Sequence, residues 1–154
     1  MNRFVLIIFL IAACVTIPYQ THAAQMPCSL VLEPVDKKLK NAKGAALVYK
    51  VQVIPNSFAR TNVSMIAVHL PDPSSYGDYD RYESYVFVPR DISWRFELYP
   101  TPEDGPTWAG RFDLITAKMD NVNFHVKLSN SKNKKLGPSV LKGHLNSCLS
   151  KTIS

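Results

Sequence analysis

The sequence predicts an all-β domain of about eight strands, arranged as a two-layer antiparallel sandwich of immunoglobulin-like type, with a small β-barrel as the alternative. Three observations lead there. Apolar and polar residues alternate with period two through most of the chain beyond residue 28, and no long helical periodicity interrupts them. Turn signals recur at close, fairly regular intervals. Eleven prolines against six glycines suit short strands joined by rigid connections.

The elements follow in order. Residues 29–35 form the first expected strand, with Leu30 and Leu32 on one face. Residues 36–44 are a lysine-rich turn carrying Lys37, Lys38, Lys40 and Lys43. The second strand spans 45–54, with Leu47, Tyr49, Val51 and Val53 on one side, and Pro55 and Asn56 end it. The third, 63–70, puts Ile66, Val68 and Leu70 on one side. It stops at Pro71-Asp72-Pro73, because proline cannot donate to a ladder. Residues 74–83 read as a polar, tyrosine-rich loop. Strands at 84–88 and 93–99 come next, the second alternating Trp94, Phe96 and Leu98 with Arg95, Glu97 and Tyr99. Residues 100–107, Pro-Thr-Pro-Glu-Asp-Gly-Pro-Thr, are a dense turn. Strands follow at 110–118 and 122–129, the latter with Val122, Phe124, Val126 and Leu128 facing in. A basic turn at 132–137 leads to a last strand at 140–148, with a bulge expected at Gly143.

Residues 1–23 have the three parts of a secretory signal: Arg3, an uncharged and mostly apolar run over 4–17 that Pro18 closes, and the small-residue site Thr21-His22-Ala23. The run is shorter than the roughly 20 residues a membrane span needs. Cleavage is expected after Ala23, leaving 24–154 as a single domain. Ile11-Ala12-Ala13-Cys14 resembles the bacterial lipoprotein processing site, so lipidation at Cys14 is the alternative. Either route removes Cys14 from the thiol pool. The two cysteines that are left, Cys28 and Cys148, are expected to pair in an oxidising compartment. A bridge closing so long a loop is worth roughly 4–5 kcal/mol in the chain-entropy model.

Loss of Arg3 takes the net charge from +6 to +5. From Lys132 onward there are five lysines and no acid, while residues 91–131 carry four basic and six acidic groups. A basic end suits anionic envelope polymers or an acidic partner, or a strand edge guarded against aggregation. Nucleic acid is not an expected partner of an exported chain that lacks any nucleic-acid motif. Contact with a membrane is expected only through a lipid anchor.

The most unusual segment is 76–85, with tyrosine at 76, 79, 82 and 85. Tyrosine gives stiff, amphipathic contact area at low entropic cost, which is why recognition loops use it. Tyr76, Asp78, Tyr79, Asp80, Arg81 and Tyr82 are therefore the expected ligand- or partner-binding residues. Trp108 joins them from the mouth of a strand, although tryptophan between turn glycines also suits a core plug. Asp78 and Asp80 have the alternate spacing of a calcium loop but lack its other positions. No metal and no cofactor is expected. His69, His125 and His144 fall on different strands, and Asn62-Val63-Ser64 matches a glycosylation sequon. No motif for acyl transfer, zinc hydrolysis or phosphate binding is present. Glu103 and Asp104 lie in a turn without the apolar surroundings acid–base work requires.

The expectation is a secreted or envelope-associated, non-enzymatic module that binds a protein, glycan or envelope polymer through the tyrosine-rich loop. A structural, self-assembling envelope protein or assembly factor is the alternative. A protease inhibitor or a hydrolase of unrecognised chemistry follows behind.

Overall fold

The computed structural model describes residues 26–52, 54–55 and 57–145. The leader with Cys14 lies outside the described residues, as do Val53 and Cys148. Eight strands follow one another: β1 (Cys28–Pro34), β2 (Lys43–Val51), β3 (Arg60–Val68), β4 (Arg81–Phe87), β5 (Ser93–Pro100), β6 (Trp108–Ile115), β7 (Asn123–Ser129) and β8 (Leu136–His144). A single turn of 3₁₀ helix, Pro73–Tyr76, precedes β4. Among the described residues no helix is long and apolar enough to cross a membrane.

The strands pair in the order β1-β2-β3-β6-β5-β4-β7-β8 and close into a barrel, every pair antiparallel. The barrel alternative therefore holds over the open immunoglobulin-like sandwich. Two strands make the difference by serving both layers. β1 pairs with β2 along residues 28–32 and passes to β8 at Glu33 and Pro34. β5 pairs with β4 along 93–98 and passes to β6 at Tyr99 and Pro100. Strands that switch layers make the corners of such a structure. The hairpin-linked β4-β5-β6 unit is flanked by β3 on one side and β7 on the other, a Greek-key arrangement.

Glycine lets the corners close. At Gly110 a Cβ would overlap the Glu97 carbonyl oxygen on β5. At Gly143 it would lie 2.6 Å from Leu32 Cδ2 and 2.8 Å from Leu30 Cδ1 on β1. The expected bulge at Gly143 is displaced. The β7–β8 register slips between Val126 and Lys127, opposite Leu141 and Ser139, and both Val140 and Leu141 turn inward. Gly143 serves close approach instead.

The barrel interior is apolar and filled. Leu30, Leu32, Val86, Leu98, Val122, Phe124, Val126 and Leu128 are all buried, as their alternation predicts. β2 and β3 turn the other way from a reading by side-chain size. Ala46 and Val48, with Val63, Met65 and Ala67, face the core, while Leu47 and Ile66 are each 44% exposed. Both faces of these strands are apolar, so period two cannot choose between them. Close backbone approach decides, because a Cβ at Gly44 would lie 2.9 Å from the Ile66 carbonyl oxygen. Asn62 of the sequon is buried, and its side-chain oxygen accepts the Leu114 amide at 2.9 Å. It closes the bulge between Thr61 and Val63 rather than offering an amide to a glycan.

Candidate functional site

Because every strand runs against its neighbours, the connections alternate between the two ends of the barrel. The β1–β2, β3–β4, β5–β6 and β7–β8 connections share one end; the other three share the opposite end with the start of β1 and the finish of β8. The tyrosine-rich loop, the proline-rich turn and both lysine-rich turns are thus neighbours on one surface. The β3–β4 connection must pass over the β6 and β5 positions to reach its next strand, so it caps that end.

The cap is held by named bonds. Asp72 begins the 3₁₀ turn and accepts the Ser74 amide at 2.8 Å and the Ser74 hydroxyl at 2.6 Å. The Ser74 hydroxyl, then its backbone N–H, hold the Asp72 carboxyl below the usual carboxylate range. Tyr82, wholly buried, donates its hydroxyl to the Pro71 carbonyl at 2.8 Å. Burial, followed by the charges of Tyr76 and Asp72, pushes that phenol up. Asp80 accepts the Ser131 amide at 2.8 Å and a close bond from the Ser131 hydroxyl, which also lowers its carboxyl, joining the cap to the β7–β8 turn. Asn130 donates to the Asp78 carbonyl at 3.0 Å. The β5–β6 turn is closed by Thr107 N–H to Thr101 Oγ1 at 2.9 Å.

These bonds redistribute the expected binding residues. Tyr82 and Trp108 are interior groups, 0% and 7% exposed, meeting edge to face with centroids 5.0 Å apart. Neither offers a surface ring, because both side chains plug the barrel end. Tyr79 is half-buried with its ring over Gly137, where a Cβ would meet it at 2.5 Å. Asp80 is tied to Ser131. Arg81 also leaves the loop: it begins β4, and its guanidinium is paired with Glu97 and lies 3.5 Å from Asp80. Tyr76 and Asp78 are exposed. Burial, then the charge of Asp36, raises the Tyr76 phenol.

The structure adds three residues to this end. A cleft of about 330 Å³ lies between the cap and the β5–β6 turn, lined by Asp72 on one side and by Glu103, Asp104 and Gly105 on the other, with Trp108 also lining it. Trp108 is more than nine-tenths buried, and its Nε1–H has no hydrogen-bond partner among the described residues. Asp113 Oδ1 is also a buried atom without a partner, but Arg111 holds its sister oxygen at 2.9 Å. The acids of the cleft were visible in the sequence as a Pro-Asp-Pro stop and a Glu-Asp turn. Their meeting was not, since it depends on the crossing of the cap.

Elsewhere the polar groups satisfy one another. Glu83, 8% exposed, accepts Arg95 Nε and Nη2 at 3.0 and 2.8 Å and Ser129 Oγ at 2.6 Å. His125 Nδ1 lies 2.9 Å from Ser139 Oγ on the outer face of β7 and β8. Lys127 reaches the same hydroxyl at 3.3 Å, and Phe87 packs edge to face on the imidazole. Burial first, then Lys127 and Lys142, push the His125 pKa down. That is the setting of a neutral structural imidazole rather than one oriented by a carboxylate. Among the described residues no group of three His, Cys, Asp or Glu could hold a metal ion. A larger cleft of about 470 Å³ at the opposite end includes Met26, which adjoins residues outside the described set.

The chain resembles known proteins along nearly its whole length. A family model described as "SPbeta prophage-derived uncharacterized protein YoqH" matches residues 24–149. The protein of that description from Bacillus subtilis (strain 168) is 58% identical over 149 residues, covering 96% of this chain and 99% of the relative. No solved structure matches. On sequence, then, the chain belongs to the family of the SPbeta prophage-derived uncharacterized protein YoqH.

Proposed function

We propose that the chain is an exported, non-enzymatic binding module whose loop-bearing end engages a protein or an envelope polymer. The observation that carries this reading is Trp108, whose buried indole N–H has no partner among the described residues and which lines the same cleft as Asp72, Glu103 and Asp104. Buried donors are almost always satisfied, and leaving one unpaired costs about 1–3 kcal/mol. A ligand that supplies an acceptor removes that cost. The bonds from Asp72, Tyr82, Asp80 and Asn130 fix the surrounding loops in advance, which lowers the ordering penalty of association.

Export is part of the proposal. The family match begins at residue 24, where the expected leader ends. A Cys28–Cys148 bridge fits the topology, since β1 begins and β8 finishes on adjacent strands at one end of the barrel. Lipid attachment at Cys14 is the alternative route to the envelope. Intact mass of the extracellular protein checks these points together: the expected species starts at Ala24, carries no acyl chain and lacks the two hydrogens of the bridge.

The binding reading is tested with the mature chain immobilised over culture-medium and cell-wall fractions. Tyr76→Ala with Asp104→Asn should abolish capture, and Arg90→Ala at the opposite end should not. Equal capture by all three proteins would refute the assignment of the loop-bearing end.

One observation favours self-assembly as a second reading. Val31, Ala45, Ile66, Ala109 and Tyr99 stand in register across five adjacent strands on the outer face, with Val31 60% and Tyr99 64% exposed. Such an apolar row suits a second copy packing face to face.

A further inference from the structure

The carboxylates on the strands have cationic partners: Glu33 with Lys43, Glu83 with Arg95, Glu97 with Arg81, Asp113 with Arg111. Glu103 and Asp104 differ. Among the described residues no hydrogen bond or ion pair engages either side chain, although both line the cleft. Asp72 adds a third negative charge, and its serine bonds keep it ionised to low pH. The cleft therefore presents negative potential, and its lining includes Trp108, whose buried indole N–H has no partner among the described residues. A metal ion suits this poorly, because an indole N–H cannot ligate it and these acids do not gather as a metal-holding group. An organic cation with a hydrogen-bond acceptor nearby suits it well. The volume, about 330 Å³, is at the lower limit for ligand pockets and fits one side chain with its adjoining peptide unit.

We propose that this cleft binds a peptide segment through a single lysine or arginine. The cation lies among Asp72, Glu103 and Asp104, and a neighbouring backbone carbonyl accepts the Trp108 indole N–H. This rests on the reading of the loop-bearing end as the binding surface. The flanking sequence of the peptide is neutral or acidic rather than polybasic. Lys37, Lys38 and Lys40 on one connection, and Lys132, Lys134 and Lys135 on another, stand at the same end and repel further positive charge.

The test uses the mature chain and bead libraries of capped octapeptides with a fixed central Lys, Arg, Gln or Glu and varied neutral flanks. Lys and Arg pools should be retained about tenfold over Gln and Glu pools at low salt, with the difference shrinking at high salt. The Glu103→Gln/Asp104→Asn double variant changes only exposed turn residues and should abolish the preference. Trp108→Phe keeps the aromatic plug and removes the donor, and should weaken retention about two- to tenfold while thermal unfolding confirms the fold. Selective retention of Gln or Glu pools, lost in the double variant, would leave the site in place and overturn the ligand class. Retention indifferent to every cleft variant would overturn both. Unchanged retention by folded Trp108→Phe, or spermidine competing as well as a Lys peptide, would overturn the indole–carbonyl contact.

Discussion

Replacing the corner glycines separates close approach from backbone freedom. In Gly110→Ala the new methyl overlaps a backbone oxygen, Glu97 O, and also lies 3.0 Å from Leu98 Cδ2 and 3.2 Å from Phe96 Cδ2. A carbonyl held in a sheet cannot turn aside, so β5 must move where it passes from β4 to β6. Overpacking of this kind costs about 1–3 kcal/mol, and a backbone obstacle puts it in the upper part of that range. The lost flexibility of the unfolded chain returns about 0.4–1 kcal/mol. A net loss of about 2 kcal/mol follows, equivalent to a fall of roughly 6–12 °C in Tm for a domain of this size. In Gly143→Ala the nearest atoms are the tips of Leu32 and Leu30, which can rotate, so the loss should be about 1 kcal/mol. Gly105→Ala meets nothing within 4 Å but sits at φ +70°, and should also cost about 1 kcal/mol from backbone strain alone. Urea and thermal unfolding of the three mature variants, followed by circular dichroism, should rank Gly110→Ala as the most damaging. A Gly110→Ala protein as stable as the parent, or less affected than Gly105→Ala, would refute the account of how the barrel closes.

Tyr82→Phe should cost about 1 kcal/mol by removing the bond to Pro71, and hydrogen exchange at residues 73–76 should accelerate as the cap loosens. His125 has its pKa depressed from an ordinary 6.5, so the unfolded chain binds that proton more readily. Its contribution is complete above about pH 6.5 and is lost as pH falls through the folded-state pKa. His125→Gln should flatten the decline of Tm below pH 6.5; an unchanged slope would remove His125 from it. Ile66→Lys with Leu47→Lys should eliminate any concentration-dependent association seen by sedimentation, and persistence of oligomers in that variant would rule out the outer β1–β2–β3–β6 face as their contact.

The strand inventory was legible because one face of most strands is strongly apolar. Phe124 to Leu128 on β7, with Val122 just before it, and Trp94 to Leu98 on β5 show this most clearly. Strand starts on β3 and β4 extend earlier than alternation suggests, taking in Thr61, Asn62, Arg81 and Tyr82, because pairing with β6 and β7 continues past the apolar stretch. Closure was not legible, since it depends on β1 and β5 each dividing their pairing between two distant neighbours. The same limit applied to the site. The gathering of the tyrosine-rich loop and Trp108 at one end follows from antiparallel order. The duty of each side chain did not follow. Tyrosine at 76, 79 and 82 looks uniform in the sequence, yet the three span exposed, half-buried and fully buried environments because β4 begins at Arg81. Glu103 and Asp104 looked like ordinary turn residues until the crossing cap brought Asp72 against them.

The central claim turns on one proton, the indole N–H of Trp108. Its resonance can be followed in ¹H–¹⁵N spectra of the mature chain during titration with a capped octapeptide bearing one lysine, assigned by its disappearance in Trp108→Phe. The account predicts a saturable downfield shift of this signal while the Trp94 indole signal holds still. A Trp108 signal that stays in place while resonances elsewhere on the barrel respond to the peptide would contradict it.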